Sequence, residues 1–150
     1  MVSVFIDDSG TAPDQKVAIA CALIVESKRI VALDKEVATV ASEEGFSFFH
    51  TSHCVAGNSK TDFAGWDDDK KKRVCSRMRH IAMRYSVSAC SIAIDRPLYD
   101  AMVPSELRDG GGKFHYTWAF GYLVEILDMS LPSERVAHRL TGFGLSSGFG

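Results

Sequence analysis

The sequence predicts an α/β domain: a mixed sheet with an antiparallel opening hairpin and helices packed on its faces. Three observations carry that expectation. Two apolar, β-branched runs, residues 2–6 and 16–26, are separated by only about ten residues, fewer than the dozen or more that a parallel crossover needs. A third run, residues 86–95, alternates at the period of a strand. Between and after these lie two stripes at helical spacing, Val74, Met78, Ile81, Ala82, Tyr85 and Ala119, Tyr122, Leu123, Ile126, Leu127.

Taken in order, Val2-Ser3-Val4-Phe5-Ile6 is apolar on both faces, which suits a central strand, and it stops at Asp7-Asp8-Ser9-Gly10. The same Asp8-Ser9-Gly10-Thr11 also reads as a plain hairpin turn with solvated acids. Residues 16–26 (KVAIACALIVE) form the second strand, and Ser27 is the expected cap of a helix over residues 28–42 that ends at Glu43-Glu44-Gly45. An aromatic strand or extended piece is expected from Phe46 into His50-Thr51-Ser52-His53-Cys54, followed by a polar loop over residues 55–62. Asp67-Asp68-Asp69 opens the next helix with acids at its positive end, and Lys70-Lys71-Lys72-Arg73 one turn on reads as a solvated face. The strand over residues 86–95 ends in Asp95 and is expected to be buried. A short helical piece at residues 98–102, a loop with Gly110-Gly111-Gly112 as a hinge, and a helix over residues 114–129 follow. Residues 134–140 are too polar to assign, and residues 141–150 (TGFGLSSGFG) read as a flexible tail.

At 150 residues, with 46% hydrophobic and 24% charged, the chain suffices for one core-forming domain, expected over residues 1–140. A net charge of -2 excludes the global basicity that by itself suggests nucleic-acid or anionic-membrane binding, so any such contact needs a local patch. The four cysteines are scattered without a CxxC pair, no run is long enough to span a membrane, and the N-terminus lacks the pattern of a signal peptide. A cytoplasmic protein with reduced thiols is the expectation.

Asp7, Asp8 and Asp95 are the candidate site. Carboxylates gathered at strand ends are hard oxygen ligands of the kind Mg²⁺ or Mn²⁺ prefers, and two such ions activate water and stabilise the leaving oxygen of a phosphodiester. Adjacent strand residues face opposite ways, so Asp7 and Asp8 meet only if the chain already turns at Ser9. His50 is a candidate base or phosphate contact, since imidazole titrates near neutrality. His50, His53 and Cys54 also offer zinc-type donors, lacking a fourth ligand at motif spacing. Ser9 and Cys54 are nucleophilic residue types, but neither has a base beside it in sequence other than His53.

Phe5-Ile6-Asp7-Asp8-Ser9-Gly10, the His50-Thr51-Ser52-His53 step, and the helix and strand from Trp66 to Asp95 together resemble the family called domain of unknown function 3800, grouped with the ribonuclease-H-like folds. The resemblance covers roughly residues 2–128. It implies a ribonuclease-H-like fold and metal-dependent phosphodiester cleavage, with Asp7, Asp8 and Asp95 as Mg²⁺ or Mn²⁺ ligands, His50 assisting, and nucleic acid as the partner. Asp8 stands where the family has Glu, and His53 where it has an acid. The family's further strand, acid and closing helix are not recognisable here, which implies a C-terminally truncated or divergent chain with weak or absent activity. A non-catalytic binding module on the same scaffold is the alternative.

Overall fold

A computed structural model describes residues 1–10, 12, 14–57, 59–108, 114–131 and 136–137. The elements are β1 (Val2–Ser9), β2 (Val17–Glu26), a 3-10 turn (Ser27–Arg29), α1 (Ile30–Glu44), α2 (Thr51–Ala56), α3 (Asp68–Tyr85), β3 (Ser86–Asp95), α4 (Arg96–Met102), a second 3-10 turn (Ser105–Leu107), α5 (Phe114–Ser130) and β4 (Val136–Ala137). The protein is therefore mixed α/β. The sheet runs β3-β2-β1-β4. Its first three strands are antiparallel, and β4 lies parallel to β1, with Val2 opposite Val136 and Ser3 opposite Ala137.

The chain forms two compact units. One takes Met1–Ile24 and the described residues from Ser88 on; the other takes the described residues of Val25–Val87. In the first, alternation decides the core: Val4 and Ile6 of β1 and Ala20, Ala22 and Ile24 of β2 share one face and bury against Ala119, Leu123 and Leu127 of α5. Cys90, Ile92 and Ile94 of β3 pack on the same core. The small alanines of β2 allow the helix side chains to approach the sheet closely. At the hairpin, Gly10 adopts a φ of 78°, and a Cβ there would lie 1.7 Å from the Val17 carbonyl oxygen, so only glycine fits.

The second unit buries Val40, Phe46, Cys54, Phe63, Val74 and Ile81. α1 and α3 run antiparallel, since Glu44 meets Arg73 and Arg77 while Glu36 meets Arg84. The basic run opening α3 is thus not solely a solvated face: Arg73 reaches across to α1. Asp67 caps α3 by accepting from the Lys70 N–H at 2.7 Å.

Arg73 Nη2 lies 3.0 Å from Glu44 Oε2 and Arg77 Nη1 2.9 Å from Oε1, with the Glu44 side chain only 9% exposed. The Arg73 hydrogen bond, followed by that of Arg77, outweighs burial and holds the carboxyl below its ordinary pKa. A lowered folded-state pKa gives stability that is complete above the unfolded pKa and is lost as pH falls through the folded one. Glu44→Gln is therefore expected to lower Tm at neutral pH. Its difference from the wild type should shrink as the carboxyl protonates below about pH 4. Thermal melts across that range check this; a gap that widens in acid contradicts it.

Four expectations need correction. β3 is an edge strand with Val87, Ala89, Ser91, Ala93 and Asp95 exposed, so it is not buried on both faces. No aromatic strand forms after Phe46: its ring packs with Phe49, Phe63 and Trp66, and residues 51–56 turn into α2. Ser27 is not at the cap position of α1: the 3-10 turn intervenes and Arg29 stands there. Residues 136–137, within the stretch too polar to assign, pair with β1 as β4. Gly110-Gly111-Gly112 and residues 141–150 lie outside the described residues.

Candidate functional site

β1 and β3 both end at the edge of the sheet where β2 begins. The Arg96 N–H donates to the Lys16 carbonyl at 2.9 Å, which fastens the end of β3 to the start of β2. The Arg96 guanidinium reaches into the hairpin loop, where Nη1 donates to the carbonyls of Ala12 and, at 2.9 Å, of Gln15. Sequence spacing carries no sign of this role, because Arg96 and Gln15 are distant in the chain.

Asp7 and Asp95 are exposed and share the sheet face opposite α5, since each alternates with residues packed on the core. Asp8 projects to the α5 side. β1 continues through Ser9, so the early turn that would bring Asp7 and Asp8 together does not occur. Tyr116 of α5 registers this placement: burial first, then the charges of Asp8 and Asp7, push its pKa up.

Asp7 and Asp95 are also staggered. The contact of Gly10 with Val17 and Ala18, counted back along antiparallel strands, sets Asp7 level with residues around Cys21, whereas Asp95 is level with Val17. The Cys21 thiol pKa is raised by burial, by Cys90 and by Asp7. Two interstrand spacings, about 9.6 Å, at right angles to an offset of four residues, about 13 Å, separate the Asp7 and Asp95 backbones by about 16 Å. Ligands to one Mg²⁺ lie about 2.1 Å from the ion, well inside that span. Asp95 Oδ1 already accepts the Leu98 N–H at 2.9 Å and caps α4, with Pro97 following in the first turn. Among the described residues, no three His, Cys, Asp or Glu side chains group as a metal site.

His50 belongs to the unit formed by Val25–Val87. It is exposed, its Nδ1 lies 2.9 Å from Ser52 Oγ, and its ring stacks on His53 with centroids 4.6 Å apart. Cys54 points the other way, into the core, so these three do not form a zinc site. Burial, followed by the Cys75 hydrogen bond, pushes the Cys54 pKa up to about 11, against the thiolate that nucleophilic attack needs.

One polar cluster has no local sequence signal. His115, buried at the start of α5, places Nε2 2.9 Å from Asp100 Oδ1 of α4, and Arg108 Nη1 lies 3.2 Å from the same oxygen. The hydrogen bond with His115, followed by that from Arg108, holds the Asp100 carboxyl below its ordinary pKa. His115 Nδ1 is shut off from solvent, so the cluster ties α4 to α5 and offers no nitrogen to a substrate.

Among the described residues, no helix is long and apolar enough to cross a membrane. No protein-family model, no curated protein and no solved structure matches the chain.

Proposed function

We propose that this protein is a non-catalytic binding or interaction module on a ribonuclease-H-like α/β scaffold of the kind seen in the domain of unknown function 3800 family. The divergence of the acids carries this reading: Asp7 and Asp8 face opposite sides of β1, and Asp95 is staggered from Asp7 and capped onto α4. The mixed sheet with its antiparallel opening hairpin supports the scaffold half of the reading.

A second reading is metal-dependent phosphodiester hydrolysis, favoured by one observation. Asp7 stands exposed near the carboxyl end of β1, and its charge reaches Cys21 of β2 and, with that of Asp8, Tyr116 of α5. Ligands of open α/β sheets gather beyond the carboxyl ends of strands. Mg²⁺ or Mn²⁺ would supply water activation there, with Asp7 as its first ligand and nucleic acid as substrate; Asp8 and Asp95 would join only after rearrangement.

Calorimetric titration with MnCl₂, alongside incubation of labelled DNA and RNA with Mn²⁺, separates the two. The module reading expects no cleavage and no binding heat that Asp7→Asn removes. Cleavage by the wild type that disappears in a folded Asp7→Asn protein would overturn it and establish the hydrolase.

A further inference from the structure

Cys54 on α2 and Cys75 on α3 come from separate helices, yet their sulfurs lie 3.8 Å apart, with the Cys75 thiol directed at Cys54 Sγ. Cys54 is 0% exposed, while Cys75 is half-buried at the edge of the same core. The pair thus combines one thiol that small solutes reach with a second, shielded one in contact behind it. We propose that Cys54 and Cys75 form a reversible disulfide that fastens α2 to α3 when the protein meets a hydroperoxide. Closing the bond brings the sulfurs about 1.8 Å nearer, from 3.8 Å to the ordinary 2.05 Å.

The steps balance with hydrogen peroxide as the oxidant. The Cys75 thiolate attacks one peroxide oxygen; the S–O bond forms, the O–O bond breaks, and the departing hydroxide is protonated to water. Cys54 then attacks the Cys75 sulfenic acid. The S–S bond forms, the S–O bond breaks, and the hydroxide leaves with the Cys54 proton as a second water. Two electrons pass from the dithiol to the peroxide.

Burial assigns the roles. The exposed edge of Cys75 makes it the thiol that meets oxidant. Cys54 is held as a thiol by burial and by the hydrogen bond and charge of Cys75; oxidation of Cys75 removes those two contributions, and Cys54 then reacts with the sulfur already touching it. The Lys71 ammonium acts in the opposite direction, favouring the Cys54 thiolate. The closed loop contains Phe63 and Trp66, and its first helix carries His53, which stacks on His50. Oxidation therefore stiffens the segment that presents the two histidines.

The test treats purified reduced protein with hydrogen peroxide, then counts thiols after denaturation and maps peptides. Free thiols are expected to fall from four to two, with a Cys54–Cys75 cross-link that dithiothreitol reverses and a rise in Tm on oxidation. Cys75→Ala abolishes the cross-link and the Tm rise. The Cys21→Ser/Cys90→Ser double variant retains both, so it reports on the pair even where Cys75→Ala folds poorly. Over-oxidised Cys75 with Cys54 still free, or a cross-link confined to Cys21 and Cys90, would overturn the proposal.

Discussion

Gly10→Ala is expected to abolish cooperative folding or to remove most of the protein's stability. The added Cβ would lie 1.7 Å from the Val17 oxygen, 2.8 Å from its carbonyl carbon and 3.1 Å from the Ala18 Cα. All three are backbone atoms, so no side chain can turn aside; β1 and β2 must separate at the hairpin. A φ of 78° adds the left-handed strain of any L residue, about 1–2 kcal/mol. Displaced pairing in an interior strand brings the total to roughly 4–5 kcal/mol or more, comparable with the whole stability of a domain. Urea denaturation followed by circular dichroism measures it. Gly45→Ala is the control: it shares a φ of 79° but has no atom within 4 Å of the new Cβ, so it loses only the strain. Equal losses at the two sites would show that the hairpin contact is not there.

Phe63→Ala should cost about 3–5 kcal/mol, the range for truncating a buried aromatic ring. Phe63 is 1% exposed, with ring centroids 5.0 Å from Trp66, 5.9 Å from Phe46 and 6.1 Å from Phe49. It lies under a segment in which Ser47, whose N–H and hydroxyl both donate to Asp62, and backbone bonds at Phe46, Cys54, Gly57, Ala64 and Trp66 act together with the packing of the aromatic rings. The cavity should loosen α2 and bring Cys54 within reach of thiol reagents. Denaturant melts and alkylation rates measure the two consequences together. A loss under about 1 kcal/mol with Cys54 still protected would mean that the aromatic cluster is not what seats α2.

The first site was partly legible: Asp8-Ser9-Gly10 announces a turn, because turn chemistry is written in consecutive residues. At the second, the aromatic run itself misled. Phe46, Phe48 and Phe49 match a short strand, yet after the left-handed Gly45 residues 46–50 take no strand conformation, and the Phe46 and Phe49 rings pack on each other and on Phe63 instead.

The acids make the same division. That β1, β2, α3, β3 and α5 exist follows from apolar runs and periodicity, a property of neighbours three or four residues apart in a helix and two apart in a strand, whereas which face of β1 and β3 is covered does not. The hairpin likewise follows from a connection too short for any other pairing. Whether Asp7, Asp8 and Asp95 converge is a matter of register, of how far β1 runs before it turns, and of what each carboxylate already holds. Those are decided by contacts that no local pattern records: Gly10 against Val17, the Arg96 N–H on the Lys16 carbonyl, and Asp95 on the Leu98 N–H. The sequence by itself determined that β1, β2, α3, β3 and α5 form. Only the tertiary structure decided which polar groups meet, because the energy of such a contact depends on chain separation in space and leaves no period behind.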